Sequence, residues 1–180
     1  MKGDRVFGSS EPALGAHAEY ICLPEDGVLT KMPANATWGE AAAIPLAGRV
    51  ALYFLRDQGN IQAQQRVLIN GASGAIGTFA VQLAKYFGPD VTGVCGPENV
   101  DMVRSLAADK VIDYTKQDFA NSQEAYDVIF DVHAFLQPLQ RFAKGEGRLS
   151  CHSPHGGNSP SDDVDIVGWR QEDQDRVCDP

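Results

Sequence analysis

The segment Gly71-Ala72-Ser73-Gly74-Ala75-Ile76-Gly77 has the residue types and spacing to hold an anion. It follows an apolar run that ends in Asn70 and opens a helix, the context in which such a turn can cradle a pyrophosphate. The first glycine allows a tight turn, the middle one a close approach of backbone to ligand, and the last a close helix–strand contact. Uncapped N–H groups and the positive end of the helix would supply the attraction. The spacing is GxxGxxG and not GxGxxG, so a glycine-rich turn without a ligand stays open from the motif alone.

A dinucleotide site is expected to declare its cofactor at the end of the next strand, where an Asp or Glu holds the ribose 2′-hydroxyl of NAD. Here that strand ends Val94-Cys95-Gly96 without a carboxylate, which favours NADP over NAD. Glu98, two residues on, would repel a 2′-phosphate.

Other chemistry-bearing residues are weaker. Cys151-His152 with His155 lacks a second ligand pair at zinc spacing, so no metal site is read there. Ser73 does not stand in a GxSxG elbow, and the cofactor turn explains it. Tyr53, Tyr114 and His17 read as packing or structural residues. Asp131 ends a strand where α/β sheets place ligand-facing groups, although a solvated strand end explains it equally well.

The elements that must position the turn follow from the apolar pattern. Residues 66–70, 91–95, 110–114 and 126–131 are short apolar strands, and helices are expected over 78–87 and 99–106. Strands alternating with helices predict an α/β fold, a parallel Rossmann-type sheet covered on both faces. Upstream, Thr37 and Glu40 have capping-box spacing before Ala41-Ala42-Ala43. Pro45 is expected to break or kink that helix, with a second helix over about 46–57, Leu52 and Leu55 on one side, and Gly59-Asn60 as its stop. Residues 1–36 read as turns and short strands, one of them over 16–24. After Val132 the pattern decays, and residues 151–180 read as an irregular tail.

The chain has 180 residues, 43% of them hydrophobic, with a formal charge of −9. That composition supports a core and argues against a nucleic-acid or anionic-membrane partner. Residues 151–180 hold seven acids against two bases, so more than half of the acidity lies in the tail. Four dispersed cysteines, and no apolar signal-like segment after Met1, point to a reducing, cytoplasmic setting. No apolar run is long enough to cross a membrane.

The motifs Gly3-Asp4-Arg5-Val6-Phe7-Gly8, residues 15–20, Ala41-Ala42-Ala43-Ile44-Pro45-Leu46-Ala47-Gly48, residues 67–85 and residues 109–114 resemble the medium-chain dehydrogenase/reductase superfamily. The closest branch is the zinc-independent, zeta-crystallin-like NADPH:quinone oxidoreductases. The resemblance covers about residues 2–132 and implies hydride transfer from NADPH to a quinone or activated alkene, without zinc. It implies three parts: residues 1–45 as a remnant of a GroES-like domain, 46–150 as a partial NAD(P)-binding Rossmann domain, and 151–180 as the tail. It places Gly71, Ala72, Ser73, Gly74, Ala75, Ile76 and Gly77 at the cofactor phosphates, the stretch from Cys95 to Asn99 by the adenosine ribose or its 2′-phosphate, and Tyr114 near the same phosphate end. Val50 falls in the 45–50 segment that would face the nicotinamide. No catalytic acid is assigned.

The departures from the family are specific. Arg49-Val50 stands where the family commonly has Leu-Thr, so a hydroxyl contact is lost. Gln64 and Ala107 replace glycines, a strained exchange wherever φ is positive. The resemblance further implies a chain truncated at its N-terminus and lacking the last strands of the sheet. A frame test sharpens this. Trp169 is encoded only by TGG, so a frame one base later must read Gly there, and through Asp179 it permits Gly-Gly-Lys-Lys-Thr-Lys-Ile-Gly-Phe-Ala-Thr, a family-like run. Residues after about Val132 are therefore expected to be out of frame. The alternatives to an active reductase are a catalytically inactive NAD(P)-binding remnant and a zinc-type alcohol dehydrogenase-like enzyme. A sheet edge left open by lost strands would favour self-association as a homodimer.

Overall fold

The computed structural model describes residues 2–10, 15–119, 124, 126–132 and 165–168. Strands β1 (Val6–Gly8) and β2 (Leu29–Lys31) pair antiparallel, with Val6 opposite Lys31. The strand expected over 16–24 does not form. These residues run without a ladder, His17 is exposed, and Tyr20 is 89% exposed, so the alternating pattern has no surface to pack on.

Residues 38–58 are helical throughout. Thr37 and Glu40 form the expected capping box: the Glu40 amide donates to Thr37 Oγ1 at 3.3 Å and the Thr37 amide to Glu40 Oε2 at 2.8 Å. Helix α1 (Trp38–Ala43) widens into a π-helical turn at Ile44–Gly48, returns to α winding in α2 (Arg49–Leu52), and widens again at Tyr53–Gln58. Pro45 therefore changes the winding instead of ending the helix. It has no N–H to donate and its ring crowds the preceding turn, and a wider turn relieves both. Leu55 is buried and Leu52 half-buried. The left-handed residue at the stop is Asn60, at φ +41°, whereas Gly59 keeps φ −81°.

Strands β3 (Arg66–Asn70), β4 (Asp90–Cys95), β5 (Lys110–Asp113), β6 (Val128–Asp131) and β7 (Asp165–Gly168) form a parallel sheet in the order β5-β4-β3-β6-β7. Helix α3 (Ala75–Phe87) links β3 to β4, and α4 (Val100–Ser105) links β4 to β5. Two successive crossovers in one direction, both right-handed, lay their helices on the same face. There Ala80, Val81 and Ala84 of α3 and Val103 of α4 bury Val67, Ile69, Val91, Val128 and Phe130, together with Phe54 and Leu55. The other face buries Leu68, Val94, Ile112 and Ile129 with Tyr126 and, at its margin, Phe119. The expected α/β fold is present, with a strand order that reverses between β3 and β6.

Strand β7 corrects the reading of residues 151–180 as irregular throughout. Its backbone pairs in parallel with β6, Val128 opposite Asp165 and Asp131 opposite Gly168. Ile166-Val167 gives the tail two successive β-branched residues, a short run that an edge position can use. The residues of the frame test lie outside the described residues, as do Cys151, His152 and His155.

Candidate functional site

The turn after β3 is built by its three glycines in three different ways. Gly71 sits at φ +84°, the left-handed region that a side chain resists. The amides of Gly71 and Ala72 both donate to the Val94 carbonyl, at 3.1 and 3.0 Å, which ties the turn to the end of β4. Gly77 is fixed by contact. A Cβ there would lie 2.0 Å from the Gly71 carbonyl oxygen and 2.8 Å from Ala72 Cα, so only hydrogen lets α3 come this close to the turn. Gly74, the N-cap of α3, is different: an added Cβ would meet only the Gly71 carbonyl oxygen, at 3.4 Å. Packing within the chain does not demand that glycine, which leaves its backbone bare.

Gly74 gives α3 no side-chain cap. The first-turn N–H groups of this helix are thus left for water or an anion, at the positive end of the helix dipole. A pyrophosphate fits both the bare backbone and the uncapped donors.

A cavity of about 410 Å³ opens beside the turn. Asn70, Gly71 and Ser73 line it from β3 and the turn, Val94 and Cys95 from the end of β4. Gly96, Pro97, Glu98, Asn99 and Tyr114 complete its wall. The segment after β4 is held by the Asn99 amide donating to the Gly96 carbonyl at 3.1 Å and the Tyr114 amide donating to the Cys95 carbonyl at 3.2 Å. A Cβ at Gly96 would lie 3.3 Å from the Tyr114 hydroxyl, so the absent side chain lets the tyrosine close the wall. Tyr114 is 59% exposed, so it lines the cavity instead of packing in the core.

Electrostatics around the cavity follow from local partners. Burial, reinforced by the nearby Asp113 carboxylate, pushes the Cys95 thiol above its ordinary range, so it stays protonated at neutral pH. The Thr115 hydroxyl, followed by the Thr115 amide and Lys116, holds the Asp113 carboxyl below the usual range. Beneath the turn, the Asn70 side-chain amide donates to Asp131 Oδ1 at 2.9 Å. Asp131 is 2% exposed, which removes the reading of it as a solvated strand end.

The residues expected at the site are thus only partly gathered. Gly71, Ser73, Cys95, Asn99 and Tyr114 line the cavity. Gly74, Ala75 and Ile76 form the cap and first turn of α3, while Ala72 and Gly77 are buried under the turn. Val50 is not brought to the cavity: at 4% exposure its side chain packs in the core with Phe54 and Ala80. Gly96 and Pro97, inside the expected stretch from Cys95 to Asn99, line it too. Asn70 lines the site without having been singled out; its signal was position, at the carboxyl end of a parallel strand.

No family model matches the chain. Among curated proteins it is 38% identical over 138 residues to the trans-enoyl reductase pgmF of Aspergillus terreus, covering 72% of this chain and 37% of that protein. It is 32% identical over 161 residues to the chloroplastic NADPH-dependent alkenal/one oxidoreductase of Arabidopsis thaliana, covering 82% of this chain and 40% of that protein. The quinone oxidoreductase of Coxiella burnetii superposes with a TM-score of 0.66 at 29% identity, over 72% of this chain and 41% of that one. The chain belongs to the medium-chain dehydrogenase/reductase superfamily. It spans about two fifths of the length of these superfamily relatives. Among the described residues no helix is long and apolar enough to cross a membrane, and no three metal-ligating side chains cluster.

Proposed function

We propose that this chain carries the dinucleotide-binding part of a reductase that moves hydride from a reduced nicotinamide dinucleotide to a quinone or an activated alkene. The observation behind the reading is the uncapped opening of α3 at Gly74, beside the cavity that begins at Gly71. The named relatives support the substrate class, being a trans-enoyl reductase, an alkenal/one oxidoreductase and a quinone oxidoreductase. The Arabidopsis relative is named as NADPH-dependent, so NADPH is the first cofactor to test.

In this reading Gly71 to Gly77 hold the pyrophosphate, Cys95 and Asn99 stand by the adenosine ribose, and Tyr114 walls that end. The bound nicotinamide supplies the hydride. The chain binds and orients it, with Tyr114 and Pro97 lining the adenosine end. Val50 enters only through the packing of α2. No zinc is needed. The domain division into a GroES-like remnant at 1–45, a partial Rossmann domain at 46–150 and a tail belongs to the same proposal, as do a cytoplasmic setting and a homodimer.

The test is a titration of the full chain with NADPH and NADH, followed by dinucleotide oxidation in the presence of a quinone and of a 2-alkenal. Saturable binding with acceptor-dependent oxidation is the expected result. Binding without turnover supports an inactive nucleotide-binding chain, and binding of neither dinucleotide refutes the reading.

A further inference from the structure

The cavity beside the glycine turn has an uneven charge. Among the described residues that line it, Glu98 is the one charged side chain, and there is no lysine, arginine or histidine. Glu98 sits in the 3-10 turn Pro97–Asn99 directly after β4, exposed and without an ion pair among the described residues. The described cations nearest to it along the chain are engaged elsewhere. Arg104 pairs with Asp101 at 2.8 Å, Lys110 with Glu124, Lys85 with Asp109 at 2.8 Å, and Lys116 with Asp113 at 3.2 Å.

The two nicotinamide dinucleotides differ only at the 2′ position of the adenosine ribose. A 2′-hydroxyl can donate a hydrogen bond to a carboxylate, whereas a 2′-phosphate brings roughly two more negative charges. Placed at this wall, the phosphate meets a like charge and no described cation to offset it. The hydroxyl meets an acceptor. Cys95 offers neither form a charge, since burial keeps its thiol protonated.

We propose that Glu98 sets the dinucleotide preference of this site and turns it toward the form without the 2′-phosphate, so that NADH binds at least as tightly as NADPH. The proposal rests on the dinucleotide reading above and departs from it only at the 2′ position. Like-charge repulsion across an exposed wall corresponds to about a tenfold change in relative affinity.

The test compares the full-length chain with Glu98→Gln and Glu98→Lys by calorimetry, at low and at physiological salt. Two pairs of probes are used: 5′-AMP against adenosine 2′,5′-bisphosphate, and NADH against NADPH. The small pair isolates the 2′-phosphate from every contact made at the nicotinamide end. The wild-type chain is expected to bind 5′-AMP and NADH at least as tightly as their 2′-phosphorylated partners. Glu98→Gln should move the ratio about tenfold toward the phosphorylated form and Glu98→Lys further, with the shift shrinking as salt rises. Tighter wild-type binding of the 2′-phosphorylated probe in either pair, or a ratio that neither variant moves, overturns the proposal. If wild type binds none of the four probes, the dinucleotide reading itself fails and the proposal falls with it.

Discussion

Two residues of this chain hold a backbone conformation that their side chains resist, and replacing them should stabilise the fold. Gln64 has φ +72° and Ala107 φ +70°. Gln64 lies in the turn that leads into β3, and Ala107 just past the end of α4, where its amide donates to the Arg104 carbonyl at 3.0 Å. A non-glycine residue in the left-handed region costs about 1–2 kcal/mol. A glycine there relieves that strain but adds freedom to the unfolded chain, which returns roughly 0.5–1 kcal/mol. Both side chains are exposed, so truncation opens no cavity. The net gain is about 0.5–1 kcal/mol for each substitution, and about 1–2 kcal/mol for the pair if the sites act independently.

The assay is urea and thermal unfolding of wild type, Gln64→Gly, Ala107→Gly and the double variant, followed by circular dichroism. For a chain of this size the double variant should melt about 3–8 °C higher, with an unchanged urea m-value. Asn60 supplies the control. It too has positive φ, at +41°, but asparagine tolerates that region, so Asn60→Gly should gain little. If both glycine variants are neutral or destabilising at constant m, the strain argument is wrong. A gain at Asn60 as large as at Ala107 would also refute it, because the effect would then have no connection with side-chain type.

Other outcomes follow from single contacts. Gly77→Ala puts a methyl group 2.0 Å from the Gly71 carbonyl oxygen, so we expect a loss of about 3 kcal/mol or more and no dinucleotide binding, read by urea unfolding and calorimetry. Asp131→Ala leaves the Asn70 amide without its 2.9 Å acceptor in the interior, a loss of about 1–3 kcal/mol measured the same way. Burial works against ionisation of Asp109, but Lys85 at 2.8 Å and the Val91 amide at 2.7 Å outweigh it and hold the carboxyl below its ordinary 3.8. A depressed pKa contributes stability above the unfolded value and loses it as pH falls through the folded one. Asp109→Asn should therefore cost about 1 kcal/mol at pH 7, a figure reduced for the exposure of the pair, and almost nothing below its folded-state pKa. Equal cost at both ends of that range would show that the carboxylate charge is not what matters.

The turn was legible because its demands are local. Gly71 and Gly77 each answer a constraint set within a few residues, a left-handed φ and a close contact, and Gly74 between them leaves the cap bare. The parallel strands were legible because burial on both sides makes them continuously apolar, as in Val67-Leu68-Ile69. The failures lie where partners are remote. The alternation over 16–24 looked like a strand, but nothing in those residues says whether a neighbour exists to pair with it. Pro45 read as a break or kink because a local rule forbids regular α winding, and the chain answered with a wider turn that keeps the helix going. The polar pair Asn70 and Asp131 could not be seen as a pair, since they are 61 residues apart and meet only through the register of β3 and β6.

The same distinction separates the two ends of the proposed cofactor. An anion held by backbone N–H groups asks for no particular side chain, only for their absence, so glycine spacing alone can announce it. The nicotinamide end asks for side chains brought together from separate elements, and a likeness of short motifs carries that less well. Val50 illustrates the difference. Its place in the 45–50 segment pointed to the nicotinamide, and in α2 its side chain lies in the core, at 4% exposure. Leu46, at 57% exposure, is the side chain of that segment that stands outward. In the proposed reading, a contact from this segment to a bound nicotinamide falls to an exposed side chain such as Leu46 or to the backbone.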